Sequence, residues 1–176
     1  MMKKALFLIL AVISLVGCEG QTEKFSLQDV KFQSIFGTNA KNPKQVFCLL
    51  GTGFFRADRS ENADSMINSW ISEHPNAEII PVSSTDEMTY CWVVDKTDNL
   101  NVFLIKNGCF PGGTMVRPQT YKEMSPEMKS VYPKNYNLLV HIEKSKYDAF
   151  IQQIKQAEIS AKKEKLGIWS KEDEEE

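Results

Sequence analysis

Behind an N-terminal apolar run, Ala5 to Val16, the chain alternates short strand-like stretches with stretches of helical period. Glu19 to Lys24 is polar and reads as a tether. Phe25 to Phe36 has scattered apolar residues of strand character, and Gly37 to Lys44 holds the Gly, Asn and Pro of a turn. Val46 to Leu50 is an unbroken apolar run, the pattern of a buried strand. Gly51-Thr52-Gly53 breaks it, and Phe54-Phe55 resumes it. Ser60 to His74 predicts a helix whose apolar face is Met66, Ile67, Trp70 and Ile71, ended by Pro75. Glu78 to Val82 and Thr89 to Val94 read as strands, with Asp95 to Asn99 as a turn. Leu100 to Asn107 reads as a short helix that Gly108 terminates.

Residues 110–143 resist assignment. Phe110-Pro111-Gly112-Gly113 forces a tight loop, and Pro118, Pro126 and Pro133 discourage long elements. Tyr136 to Ile142 has the composition of an edge strand. The closing helix is the clearest element. Ser145 with Asp148 three residues on is an Asp version of the capping box. Tyr147, Phe150, Ile151, Ile154, Ala157 and Ala161 form one apolar face. Lys162, Lys163 and Lys165 sit where cations offset the helix dipole, Gly167 stops the helix, and Ile168-Trp169 folds back as an apolar plug. No internal repeat is present.

The first residues change the expected location of the protein. Lys3 and Lys4 precede the apolar run, which is too short to span a bilayer comfortably, so residues 1–17 read as a signal peptide. The run ends Leu15-Val16-Gly17-Cys18, which looks like a lipobox, with small residues before a cysteine whose thiol takes the lipid. Cys18 is therefore the expected lipidation site, with a palmitate-type acyl anchor and residues 18–29 as the lipidated cysteine and its tether. No other stretch approaches ~18–20 apolar residues. The implied location is the cell envelope, at a membrane surface on its extracytoplasmic face, periplasmic in a two-membrane cell. The implied partner is the membrane itself, through the N-terminal lipid.

Composition adds one exclusion. Without the signal peptide the chain carries 19 basic and 23 acidic residues, and the tail 171–176 holds five of the acids. The remainder balances, so no basic excess exists to draw nucleic acid by counterion release. Export permits disulfides among Cys48, Cys91 and Cys109. Three thiols allow one bridge with one thiol left over, or three buried apolar-like side chains. There is no Cys-x-x-Cys pair, and His74 and His141 stand apart, so no metal site is expected.

The tail from Ala157 to Ser170, Ala-Glu-Ile-Ser-Ala-Lys-Lys-Glu-Lys-Leu-Gly-Ile-Trp-Ser, resembles the end of thermonuclease-like (staphylococcal-nuclease-type) domains. Those finish in a helix of the form A-x-x-x-A-K-K-x-K-L-G-I-W. Asn101-Val102-Phe103-Leu104-Ile105-Lys106-Asn107-Gly108 is similar to that family's second helix, V-N-x-x-L-V-x-x-G. The resemblance covers roughly residues 45–110 and 144–170. It implies an α+β fold, a small OB-type β-barrel with about three helices. The domain is expected over residues 30–170, with an irregular insertion at about 111–143.

The same resemblance implies phosphodiester hydrolysis with Ca²⁺ held by carboxylates and two arginines on the phosphate, because a hard cation needs oxygen ligands and Arg offers a planar fork. The ligand motifs depart from that pattern. Where the family has R-L-x-x-x-D-x-P-E, this chain reads Phe47-Cys48-Leu49-Leu50-Gly51-Thr52-Gly53, with Cys48 at the Arg and Gly53 near the Asp. Where the family has Y-G-R-x-L-A, it reads Met88-Thr89-Tyr90-Cys91-Trp92. No arginine occurs between Arg59 and Arg117. Arg56, Glu61 and Asp64 repeat the spacing of Arg, acid, acid, but the apolar strand that should separate them is absent, and they are weak catalytic candidates. Trp70, Trp92 and Trp169 fall on apolar faces and are expected in the core. Tyr121, Tyr132 and Tyr136 are the better candidates for an exposed surface. The expectation is a membrane-anchored lipoprotein with a catalytically degenerate thermonuclease-like domain, a binding or structural module without a cofactor. The alternative is a divergent Ca²⁺-dependent nuclease acting on DNA or RNA outside the cytoplasm. A nucleic acid or protein partner is left unidentified.

Overall fold

The computed structural model describes residues 25–53, 58–86, 88–113, 119–132 and 138–171. Cys18 and the signal peptide, Phe54-Phe55, Arg56, Tyr136 and residues 172–176 of the acidic tail lie outside them. The strands are β1 (Phe25–Ser26), β2 (Val30–Gln33), β3 (Phe36–Asn39), β4 (Val46–Leu49), β5 (Glu78–Ser84), β6 (Met88–Asp95), β7 (Asp98–Asn99) and β8 (Leu139–Val140). The helices are α1 (Ala63–Glu73), α2 (Leu100–Lys106), α3 (Pro126–Val131) and α4 (Lys144–Lys163).

The sheet runs β1-β5-β6-β4-β3-β2, with β7 on β6 and β8 on β5. All pairs are antiparallel except β4 with β6. The two ends of this path are consecutive in the chain. Phe25–Ser26 pairs with Ile79 and Glu78, and after one 3₁₀ turn Val30–Gln33 pairs with β3. One segment thus touches both margins of the sheet, so the sheet is strongly curled, a mixed half-barrel consistent with an OB-like fold. The protein is α+β with four helices among the described residues; the one added to the expected three is α3, within the segment read as irregular. Phe25 and Ser26, placed in the tether by the sequence, belong to the sheet.

The hydrophobic pattern explains the core. Phe47, Leu49 and Leu50 of the β4 run are buried, as are Ile67 and Trp70 of α1 and Tyr147, Phe150, Ile154, Ala157 and Ala161 of α4. Trp92 meets Phe150 with ring centroids 4.5 Å apart, which seats α4 on β6. Phe25 meets Phe47 edge-on at 5.0 Å, which holds the short β1 in place.

The helix ends differ from the sequence pattern in informative ways. α1 begins at Ala63 because Ser60 Oγ donates to Asn62 Oδ1 at 2.7 Å and closes a turn ahead of it. The expected capping box at Ser145 does not form. α4 starts two residues earlier, with Glu143 at its cap, and Asp148 pairs with Lys144 one turn back. Gly167 does not stop α4, which ends at Lys163; Lys165 takes a positive φ of 52°, and Gly167 opens a 3₁₀ turn. Gly167 is needed for another reason. Ile168 N donates to Gly108 O at 2.9 Å, and a Cβ on Gly108 would fall 2.0 Å from Leu166 O. Two glycines at positive φ let the ends of α2 and α4 meet backbone to backbone.

Asn101, on α2, is fully buried. Its Nδ2 donates to Leu50 O at 2.8 Å and to Cys91 O at 3.1 Å, and its Oδ1 accepts from Val93 N at 3.1 Å. Asn101→Leu keeps the branched shape and removes all three bonds, leaving Leu50 O and Val93 N without this partner in the core. It should cost about 2–4 kcal/mol. A fall in urea midpoint with an unchanged slope checks this; an unchanged midpoint would show that the network is dispensable.

Candidate functional site

The residues that the sequence singles out lie at the C-terminal end of β4, in the middle of β6 beside it, and in the turn before α1 and its first turn. β4 and β6 run in parallel, with Cys48 opposite Tyr90 and Leu49 opposite Cys91. Cys48, at one position where the resemblance expects arginine, and Cys91, within the stretch that matches the other arginine motif, therefore stand on adjacent strands one place out of register. Paired residues of neighbouring strands share a face and successive residues alternate, so the two side chains leave the sheet on opposite faces. That disposition opposes a disulfide between them. All three cysteines, Cys48, Cys91 and Cys109, are free and buried in this structure.

Burial sets the chemistry of these thiols. It pushes Cys48 up to about 12. Cys91 is raised further by burial first and by neighbouring Cys48 second. Burial also raises Cys109, against a hydrogen bond from Ser60. Thiols held in this way are neutral and poor nucleophiles. They offer neither the charge nor the planar donor fork that grips a phosphate.

The carboxylate position fares similarly. Gly51 and Gly53 both hold positive φ, 87° and 82°, a region that penalises any side chain. Thr52, buried between them, donates to Leu49 O at 2.8 Å and closes the turn. The Pro111-Gly112-Gly113 loop then lies on this turn. Gly113 N donates to Gly51 O at 3.0 Å, and a Cβ on Gly113 would come within 2.9 Å of Gly53 N. Backbone is packed against backbone where the resemblance places a metal-binding carboxylate. The Ca²⁺ that the resemblance implies does not fit these residues.

Glu61 and Asp64 are not brought together as a pair. Glu61 is exposed in the turn before α1. It lines a cleft of about 600 Å³ with Asp58, Arg59, Ser60, Asn62, Gly167, Ile168 and Ser170. Asp64, in the first turn of α1, works as a brace. Its Oδ1 accepts from Ser34 N at 2.7 Å, where Ser34 takes a φ of 56° in the β2–β3 turn. Its Oδ2 lies 3.7 Å from Arg59. Asp64 thus ties the β-hairpin to the helix, and Arg56 lies outside the described residues. Among the described residues no three His, Cys, Asp or Glu side chains gather as a metal-binding group.

The cleft could not be read from the sequence, because its two walls, the turn before α1 and the 3₁₀ turn after α4, lie more than a hundred residues apart. Of the aromatics, Trp70 and Trp92 are buried as expected, and Trp169 is half-buried under Lys162, whose Nζ sits 4.3 Å from its ring centroid. Tyr132 is exposed and Tyr121 half-buried, with Lys129 over its ring.

The buried thiols give the fold a pH dependence of known sign. Below the ordinary thiol value of 9.0 they are protonated in both folded and unfolded chains, and stability is insensitive to them. Above it the unfolded thiols ionise while the folded ones do not. Each then removes about 1.4 kcal/mol of stability per pH unit until the folded value is reached. Urea midpoints measured from pH 8 upward should fall more steeply above pH 9 in the parent than in Cys48→Ala. Equal slopes would contradict the burial of Cys48.

No family model and no curated protein matches the chain.

Proposed function

We propose that the protein is a lipoprotein held at an extracytoplasmic membrane surface through Cys18, and that its folded part is a catalytically degenerate thermonuclease-like domain acting as a binding or structural module. The curled mixed sheet, with α1 between β4 and β5 and a long closing helix, is the kind of frame the resemblance implies. The sequence motifs of the second helix and the tail carry the rest of the likeness. The observation that carries the loss of catalysis is the replacement of a charged constellation by a dry one. A buried neutral thiol, Cys48, stands at one arginine position, the stretch that matches the other holds no arginine but a second buried thiol, Cys91, and a glycine turn sealed by Gly113 stands near the carboxylate position. Phosphodiester cleavage builds charge on the phosphate that needs preorganised cations, and removal of such groups leaves the transition state unsupported. No residue at these positions can do that work. The anchor rests on the basic start, the short apolar run and the small residues before Cys18.

Two measurements test the two halves. The chain beginning at residue 18 and carrying Cys18→Ser, offered single- and double-stranded DNA and RNA with Ca²⁺, should cleave none of them above the level seen with chelator. Chelator-sensitive cleavage that disappears in Glu61→Gln or Asp64→Asn would establish the nuclease instead. In cells, labelled palmitate should enter the parent and not Cys18→Ser, and Cys18→Ser should leave the membrane fraction. Retention of the unlabelled variant in membranes would refute the anchor.

A further inference from the structure

Four of the six large apolar side chains that are exposed among the described residues fall between Met128 and Leu139. Met128, Val131 and Tyr132 follow each other at the three- and four-residue spacing that places them on one side of α3. Val131 is 79% exposed and Met128 41%. No residue of α3 is buried, whereas Met124, just before the Ser125 cap, is. The segment is thus held to the protein at Met124, and the apolar side chains that follow stand exposed. Leu139, on β8, is 60% exposed. The helix is nonetheless well made, with Ser125 accepting from Met128 N at 3.3 Å and Pro126 in the first turn. A short, capped helix that buries nothing of its own is a surface element built to meet something else.

We propose that this face, α3 with Leu139 of β8, lies on the lipid bilayer beside the N-terminal anchor. The proposal rests on the lipoprotein reading and adds an orientation to it. The sheet register argues for the bilayer as occupant. β6 covers one edge of β5 along its whole length, so β1 and β8 share the other edge. β1 is antiparallel to β5, with Phe25 opposite Ile79 and Ser26 opposite Glu78. Its N-terminal end therefore points along β5 toward Ser83 and Ser84, the partners of β8. Phe25 and Leu139 pair with positions five residues apart on β5, a spacing of about 16 Å. Glu19 to Lys24 is all the chain that separates Cys18 from Phe25, and it reaches at most about 25 Å. A lipid on Cys18 thus confines the domain close to the bilayer, with the β8 end of the β5 edge on the tethered side. Tyr132 and Leu138 are joined by five residues, which keeps α3 within about 22 Å of β8.

The charges favour contact through apolar burial rather than through attraction to anionic headgroups. Lys122 and Lys129 are offset on this segment by Glu123 and Glu127. Lys129 leans over the Tyr121 ring and donates to Lys122 O at 3.2 Å. Tyr and Lys beside an apolar stripe suit the headgroup boundary, where the ring and the alkyl stem are buried and the polar tip stays wet.

The test uses the full lipidated chain in vesicles whose acyl chains are partly brominated, with a tryptophan reporter at one of two exposed sites. The emission that Val131→Trp adds over the parent, with its three native tryptophans, should lie further to the blue than in the unlipidated chain free of vesicles, and most of that added emission should be lost to the brominated chains. Ile159→Trp, at an exposed position of α4, should lose little. Quenching should be the same in zwitterionic and in anionic vesicles. Equal quenching at the two sites, or quenching that needs anionic lipid, overturns the docking face while leaving the anchor intact. A chain that fails to float with vesicles at all removes the anchor and this proposal together.

Discussion

Asn101 sits where the end of β4, the middle of β6 and the start of α2 meet, and its carboxamide is hydrogen-bonded to backbone on all three sides that matter. Parallel strands cannot be joined by a tight turn, so β4 and β6 meet only after the chain has made α1, β5 and the hairpin. Beyond Leu50 N, which still donates to Cys91 O at 3.0 Å, β4 leaves β6 at the Gly51–Gly53 turn. Leu50 O is left facing the core, and a buried acceptor without a donor is costly. One side-chain amide satisfies it, adds a second donor to Cys91 O and takes Val93 N in return. The seating of α2, and through the Gly108–Gly167 contact the end of α4, follows from that junction.

The same junction decides what chemistry the proposed module can host. A phosphate-cleaving centre at the ends of β4 and β6 would need charged side chains, water and a cation there. This chain fills the place with thiols that burial keeps neutral, a buried threonine hydroxyl turned to its own backbone, and glycines close enough to exclude side chains. Each substitution suits its neighbours: buried charges would demand partners that are absent, whereas thiols behave as small apolar groups. On the proposed reading, loss of catalysis let this end of the barrel become ordinary core. The acids nearby have been put to other uses. Asp64 braces the Ser34 turn, and Glu61 lies open to solvent.

The segment from α3 to β8 has the opposite character. Where the β4 end is closed by backbone packing, Met128, Val131 and Tyr132 around α3 and Leu139 on β8 expose apolar side chains. An anchor of acyl chains alone leaves a domain free to tumble on its tether. A second, weaker apolar contact would fix which face looks outward, and with it which surface, including the cleft between the α1 turn and the C-terminal 3₁₀ turn, is presented to the solvent.

Much of the fold was legible in the chain. Periodicity located α1 and α4 with their buried faces, the stop at Gly108 marked the end of the short α2, and the unbroken run at Val46 located β4, because burial on one side or on both imposes a spacing that a local window can see. The same local logic showed the absence of arginine between Arg59 and Arg117. What failed was also local: the capping box at Ser145 and the stop at Gly167 were read from short patterns that α4 did not use, since its start was set by Glu143 and its end by packing against α2. The tertiary structure alone decided that segment 25–33 would touch both margins of the sheet, that Cys48 and Cys91 would lie side by side yet face apart, that Gly113 would seal Gly53, and that Asp64 would serve as a brace. Each of these depends on groups far apart in sequence, and no local pattern can carry a contact whose partner is fixed only when the chain has closed on itself.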